Sequence, residues 1–429
     1  MLVGLSKEAQ ITKELSNRIV NAQKPIRILD AIKWDDSIKR DFFSKNCQEP
    51  PSVSLEYYKK YPLIFNPEEK IEEFRAIERD ITKNLGQFNP VGEIMMRMCR
   101  EYRMVVRMLM ARGTPEFSQL SQNLYGAADE VFYPGGPSVH DVAEIFSEVT
   151  PKIESYTTNE LDEKNIDSAK AAEILRVRLQ NYFTEQEEPI QVEVTDEVVA
   201  DAAAGAEVLK LRSNAMFSER QLRLLEVHEG WVHLGTTLNG RAQPVCTFLS
   251  KGPPSSTVTQ EGLAVLMELF TFREYPERLR RLANRVVTIS MVDKGANFLD
   301  IFHYFQEQGY GDENSYETSV RIFRGSTPDG LPFTKDLSYT KGVVMIFNYI
   351  RLAIQRGLLD RIPLLFLGKT TLGDLHSWSD LIDKKIVVRP KYVPPQFFDM
   401  SGLASWVSYS LFLNKINLQK LAENYKQIL

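Results

Sequence analysis

The chain reads as an α+β protein. A mainly helical N-terminal region is expected over residues 1–187, and residues 188–429 are expected to hold a small mixed sheet, a histidine-bearing helix and a helical C-terminal part. Three observations predict this. Apolar residues recur at helical spacing through much of the first half. Alternating apolar and polar residues, the mark of a half-exposed strand, are confined to a stretch between residues 190 and 212. The string HEGWVH at residues 228–233 follows soon after.

The helices come first. Asn66-Pro67 with Glu69 is a helix-start signal, and Ile71, Phe74, Ile77, Ile81 and Leu85 then recur at helical spacing. The next helix is two-faced: Ile94, Met95, Met98, Tyr102, Val105 and Leu109 occupy one arc, and Arg97, Arg100, Arg103 and Arg107 the opposite one. The methionines fit as core filler. The arginine stripe is either a solvated, salt-bridged face or a surface that meets an acidic partner. Asp167 caps a further helix through Ile174, Leu175 and Leu179.

The character changes near Pro189, and a boundary is expected between residues 185 and 190. Ile190, Val192 and Val194 alternate with Gln191, Glu193 and Thr195. The Ala/Gly-rich stretch Ala202–Ala206 leads into a second strand, Val208 to Arg212, in which apolar positions alternate with Lys210 and Arg212. Ser218 and Gln221 then form a capping box, Leu222, Leu225 and Val232 supply apolar positions, and Gly235 is placed to end the helix.

His228, Glu229 and His233 on that helix have the residue types of a hydrolytic zinc site. The usual spacing of the two histidines is four, which leaves them about 40° apart around an α-helix. Here it is five, about 140° on a regular helix, too far to grip one ion at the roughly 2.0–2.1 Å that Zn–N bonds require. A π-type turn restores a common face, and Gly230 tolerates the distortion. The sequence therefore predicts a π-bulge across His228–His233. Strand, then helix with two histidines, is the order of the zincin proteases, so the core is expected to be a zincin-like metallopeptidase core with a small mixed sheet and a zinc-binding helix. Val208–Arg212 would be the edge strand that pairs with extended substrate.

A catalytic zinc takes three protein ligands and keeps a position for water. Glu261 is the candidate third ligand, on an apolar helix with Leu263, Val265, Leu266, Leu269 and Phe270, where Thr257 and Gln260 read as a second capping box. That start puts Glu261 in the first turn, where an acid can also serve only the helix dipole. Glu268, seven residues on, is either a hydrogen-bond partner of a ligand histidine or a helix-internal pair. The run Arg273, Arg278, Arg280, Arg281 and Arg285 can receive an acidic peptide tail, or form a solvated face with Glu274 and Glu277. His140, His303 and His376 are isolated and read as surface or hydrogen-bonding residues.

These residues carry a family resemblance. HEGWVH, the string GRAQP at 240–244 and TQEGLA at 259–264 resemble the QEGLA-motif family (flavohaemoglobin expression-modulating QEGLA motif proteins), bacterial-type relatives of the microtubule-associated tyrosine carboxypeptidases. So do ARGTP at 111–115, LYG at 124–126, VRIFRG at 320–325, and FTKD at 333–336 with Tyr339 and Gly342. The blocks run in order over about residues 100 to 375. The resemblance implies that His228, His233 and Glu261 bind zinc and that Glu229 is the catalytic acid/base. It also implies removal of a C-terminal residue, in eukaryotic relatives the tyrosine of α-tubulin, a substrate that does not carry over automatically.

Within the matched blocks Tyr339 is the candidate oxyanion donor, with a core tyrosine as the other reading. Arg241, Arg321 and Arg324, with Lys335 as a weaker option, are candidates to bind the substrate carboxylate, since a guanidinium can donate two parallel bonds to it. Each can instead hold loops through salt bridges. The expected function is thus a zinc metallocarboxypeptidase acting on a peptide or protein C-terminus. The alternatives are a zinc-binding regulatory protein without peptidase activity and a zinc endopeptidase. Retention of Glu229 speaks against the first, because a purely structural zinc has no use for an unliganded carboxylate beside it.

Composition is compatible with this. The 429 residues, 43% hydrophobic, can bury a large core in two or three units. No run of 18 apolar residues occurs, and MLVGLSKEAQ lacks the build of a secretory signal, so a cytoplasmic location and no membrane contact are expected. Cys47, Cys99 and Cys246 form neither a disulfide framework nor a CxxC metal site. The net charge of −5 argues against nucleic-acid binding.

Overall fold

A computed structural model of the chain describes residues 5–157, 163–184, 189–196, 198, 201–205, 208–413 and 415–426. Helices dominate, and the five strands among the described residues lie between residues 166 and 217, which makes a helix-rich α+β architecture with small sheets. The expected boundary falls largely on residues 185–188, outside the described residues, as does Ala206.

The first half folds as its periodicity dictates. The Pro67–Leu85 helix starts where the Asn66 side chain accepts from the N–H groups of Glu68 and Glu69. It packs on the Pro90–Met110 helix through Phe74, Ile77 and Ile81 against Ile94, Met95 and Met98, with Phe74 stacked on Tyr102 at 5.4 Å. The arginine stripe is a salt-bridged face: Arg97 makes two bonds to Asp374 (2.9 and 2.5 Å), and Arg103 pairs with Glu78 at 3.0 Å.

The strands are β1 (Ile166–Asp167), β2 (Gln191–Thr195), β3 (Ala202–Ala204), β4 (Val208–Arg212) and β5 (Met216–Phe217). β1 pairs antiparallel with β5; the larger sheet has the order β2-β4-β3, with β2 parallel and β3 antiparallel to β4. The strand expected at the edge, Val208–Arg212, is therefore central, and β3 takes the edge. Three consecutive alanines give β3 no apolar–polar alternation, so it was invisible as a strand. Asp167 caps the Ser168–Tyr182 helix as expected, and Ala171, Leu175 and Leu179 of that helix pack with Val192, Leu209, Leu211, Phe217 and Leu222 in one cluster.

Two helices after the sheet cross very closely. Pro254–Phe270 and Leu337–Gln355 meet at Gly262 and Gly342, where a Cβ on Gly262 would sit 2.1 Å from the Gly342 carbonyl carbon and one on Gly342 2.1 Å from the Val258 oxygen. The first of these helices is capped at Pro253 and begins at Pro254 rather than after a cap at Thr257, because Pro253-Pro254 already sets the helical start. Thr257 and Gln260 are thus interior positions and not a capping box, and Glu261 is the eighth helical residue, beyond the reach of the dipole argument. Among the described residues no helix is long and apolar enough to cross a membrane.

Candidate active site

The capping box at Ser218 and Gln221 opens the Glu219–Leu225 helix, which continues directly into a π-helix over Glu226–Leu234. The predicted π-turn is present, and it puts His228 and His233 side by side with ring centroids 4.8 Å apart. The helix does not stop at Gly235 but returns to α-helix over Gly235–Arg241. Gly230 serves close packing: a Cβ there would lie 2.2 Å from Cδ2 of Leu179 on the Ser168–Tyr182 helix.

Both Nε2 atoms face one oxygen of Glu261. Oε2 lies 3.6 Å from His228 Nε2 and 3.4 Å from His233 Nε2, and it is buried without a hydrogen-bond partner. Two imidazole nitrogens and a carboxylate oxygen bound to one tetrahedral ion would lie about 3.3 Å apart. The donor set and its spacing fit a divalent metal. Glu229 approaches from the sheet side: its Oε2 accepts the Ala204 N–H of β3 at 2.8 Å, and its Oε1 is 4.0 Å from His228 Nε2. Ligand atoms of His228, Glu229 and His233 all lie within 4.8 Å of one another.

The electrostatics point the same way. Burial opposes charge on His228, yet Glu261 and Glu268 outweigh it and hold its imidazole well above its ordinary value. Burial would raise the Glu261 carboxyl, but Lys335, His228 and His233 hold it well below the usual carboxylate range. Glu268, fully buried, is likewise kept low against burial by Arg278 and His228, while burial and the adjacent Glu268 charge push Glu274 well up. Negative charge is concentrated around the two imidazoles, where a cation would be stabilised.

A cationic wall stands opposite. Lys335 Nζ lies 3.2 Å from Glu261 Oε1 and 5.9 Å from the Tyr339 ring centre. Tyr339 lies nearly parallel to His228 with ring centres 6.4 Å apart, and Arg285 and Arg278 approach its ring to 5.0 and 6.0 Å. Arg321 is held by Asp336 through two bonds of 2.9 and 3.1 Å. Arg324 is buried over Phe333 at 5.5 Å, and its Nε has no hydrogen-bond partner. Burial and the neighbouring Arg321 charge push both Arg285 and Arg324 down to about 10.

The backbone after Arg324 is pinned from the N-terminal helices. Gly325 N–H donates to the Tyr58 hydroxyl at 2.8 Å, Gly113 N–H donates to the Gly325 carbonyl at 2.9 Å, and Gly325 adopts φ +84° with the Phe117 ring where a Cβ would be. The structure thus gathers His228, Glu229, His233, Glu261, Lys335 and Tyr339, with Arg321 and Arg324 adjoining. Arg241 is exposed at the end of its helix, about 12 Å of helix rise beyond His233. Arg285 reaches the site although it was weighed only as part of a charge run. Lys369, which contacts both histidine- and glutamate-bearing helices, lies in no motif and carried no sequence signal.

Comparison with known proteins agrees with these blocks. A family model described as microtubule-associated tyrosine carboxypeptidase matches residues 40–415. A separate similarity, to DNA-directed RNA polymerase subunit Rpo11 of Thermoplasma volcanium, is 27% identical over 97 residues, 21% of this chain and 87% of that protein. At that identity over a fifth of the chain it shows no shared family.

Proposed function

Because the matched residues span most of its length, the chain belongs to the microtubule-associated tyrosine carboxypeptidase family, which implies tyrosine carboxypeptidase-like activity, and from that premise we propose a zinc-dependent carboxypeptidase of the QEGLA-motif branch with a zincin-like core. His228, His233 and Glu261 would hold the zinc. What supports this most is the convergence of both Nε2 atoms on Glu261 Oε2, a buried oxygen that no protein donor satisfies.

When bound, zinc lowers the pKa of a water towards about 7 and polarises a carbonyl. Glu229 takes the proton of the attacking water and later passes it to the leaving amine. The Ala204 N–H fixes one Glu229 oxygen, which leaves the other for that proton. Tyr339, partly exposed beside His228 and flanked by Arg278, Arg285 and Lys335, donates its hydroxyl to the developing oxyanion. The outer edge of β3 takes the extended substrate backbone, in place of the edge first assigned to β4. Arg324 receives the terminal carboxylate, whereas Arg321 and Arg285 already face Asp336, the first through two bonds and the second at 3.6 Å.

The substrate is then a peptide or protein C-terminus ending in tyrosine or another aromatic residue. The test is metal analysis of purified protein followed by mass spectrometry of a peptide library with varied C-termini, as free acids and as amides. One zinc per chain and release of single residues from free acids alone are expected. A zinc-loaded protein that cleaves no peptide would favour a regulatory role, and cuts inside long peptides an endopeptidase.

A further inference from the structure

We propose that Lys369 is a positioning residue that sets the spacing between the helix bearing His228 and His233 and the helix bearing Glu261. This rests on the zinc-site reading above. The Lys369 Nζ donates to the carbonyl of His233 at 2.8 Å, to Gln260 Oε1 at 2.9 Å and to Thr236 Oγ1 at 3.1 Å. Three oxygens thus meet one nitrogen, as many as a charged ammonium can donate to. One partner is the main chain of a ligand histidine, and another is the residue that precedes the ligand glutamate. The Thr236 hydroxyl closes the triangle by contacting Gln260 Oε1 at 2.8 Å.

The contact lies where the π-helix passes back into α-helix at Gly235. The His233 carbonyl accepts from Thr237 Oγ1 at 2.8 Å and Lys369 Nζ at 2.8 Å, while the single Thr236 hydroxyl proton faces Val232 O at 2.6 Å, Gln260 Oε1 at 2.8 Å and His233 O at 3.2 Å. Thr236 and Thr237 belong to the same helix as His233, and Thr236 also reaches Gln260 on the neighbouring one. Lys369 joins the His233 carbonyl, Thr236 and Gln260 at one nitrogen, and its own segment is fixed. Its N–H donates to the Leu249 carbonyl at 2.7 Å, the adjacent Gly368 leaves no room for a Cβ (2.6 Å from the Leu249 oxygen), and Gln260 Nε2 returns a bond to the Gly368 carbonyl at 3.3 Å. The lysine is a strut from a rigid strap to both ligand-bearing helices.

The experiment compares wild type, Lys369→Met, Gln260→Met and the double variant. Each is checked by thermal unfolding, then assayed for zinc affinity against a competing chelator and for the visible spectrum after cobalt substitution. Outer partners of metal sites typically contribute about 10–100-fold in affinity. Lys369→Met is expected to lose zinc affinity by that factor and to shift the cobalt bands. Gln260→Met should move both readouts in the same direction, and the losses should be less than additive in the double variant, because the Lys369–Gln260 bond is common to both. If Lys369→Met does not fold, Gln260→Met carries the test by itself. Wild-type zinc affinity and cobalt bands in either folded single variant overturn the proposal, as does a rise in KM with unchanged zinc binding, which would make Lys369 a substrate contact. A wild type that binds no zinc would instead overturn the zinc reading on which the proposal stands.

Discussion

Glu268 Oε1 lies 2.5 Å from Nδ1 of His228, and Glu268 is carried two helical turns beyond Glu261 on the same helix. One helix thus supplies a carboxylate to each side of the His228 ring: Glu261 at Nε2, Glu268 at Nδ1. A carboxylate at Nδ1 fixes the tautomer whose Nε2 lone pair points at the proposed metal position.

Replacing Glu268 by Gln should weaken zinc binding about 10–100-fold while the fold survives. Glu268→Ala should in addition destabilise the protein, because Arg278, now 3.4 Å from Glu268 Oε1, would be left buried without its partner. Chelator competition beside thermal unfolding separates the two effects, and wild-type affinity in Glu268→Gln would remove Glu268 from the site.

Glu229→Gln keeps the side-chain volume and an oxygen for the Ala204 N–H. Zinc should remain at one per chain while peptide turnover falls by about 10²–10⁴-fold, the usual effect of losing a general base. Undiminished turnover in a zinc-loaded variant would assign the proton transfer to another group.

Gly262→Ala tests the helix crossing that brings Glu261 beside Lys335 and Tyr339. The added Cβ would meet Gly342 backbone at 2.1 Å, which cannot swing aside as a flexible side chain can. Overpacking of this kind costs about 1–3 kcal/mol. Gly373→Ala, where the nearest atom to a Cβ is 3.9 Å away, is the control and should change stability by no more than about 0.5 kcal/mol in denaturant unfolding. Equal stability of the two variants would mean the crossing is not tight.

What could be read in advance, and what could not, follows from the range of the signals. The π-turn was legible because an i, i+5 histidine pair around Gly230 has no α-helical solution, a purely local constraint. Glu261 is legible as a ligand candidate, but the sequence places the start of its helix four residues late, because Thr257 and Gln260 imitate a cap that Pro253-Pro254 pre-empts. The order β2-β4-β3 was not legible: strand neighbours are a tertiary fact, and β3 is three alanines. Which arginine is engaged was equally hidden, since Arg321 and Arg324 differ only in that the first meets Asp336 and the second Phe333. Lys369 approaches His233 across 136 residues of chain.

Glu101 gives a pH test away from the metal position. Its carboxylate accepts the Ser255 N–H at 2.9 Å near the start of the Pro254–Phe270 helix, and burial raises its pKa above the ordinary 4.5 despite that bond and Arg97. A carboxyl raised in the folded state holds its proton where the unfolded chain has lost it. Its contribution to stability is therefore full below pH 4.5 and falls as the pH rises through the folded value. Glu101→Gln abolishes that loss, so the difference in Tm, variant minus wild type, should become more positive from pH 4.5 upward. A difference that is flat or falls with pH would contradict the raised pKa.

The last prediction concerns the substrate's terminal carboxylate. Arg321 spends two bonds on Asp336, while Arg324 is buried against Phe333 with its Nε unbonded, and the backbone at Gly325 behind it is held by Tyr58 and Gly113. Asp336 is shared among Arg321, Arg285 and Arg324, so the cluster holds more buried positive than negative charge, and a free C-terminus entering the site would relieve it. Truncating one partner of a buried, hydrogen-bonded charge pair costs about 2–5 kcal/mol, roughly 30-fold or more in kcat/KM. Arg324→Ala should therefore lower kcat/KM for a free-acid peptide by at least that factor and leave the slow cleavage of the matching amide nearly unchanged, collapsing the preference between them. Arg321→Ala should act differently, through stability, because it removes both hydrogen bonds of the buried Asp336 carboxylate and leaves it only the longer contact with Arg285 at 3.6 Å. Matched free-acid and amide peptides assayed with wild type, Arg324→Ala and Arg321→Ala separate these outcomes. If Arg324→Ala keeps the wild-type ratio while Arg285→Ala loses it, the clamp is Arg285, and if neither changes the ratio, the carboxylate is bound elsewhere on the chain.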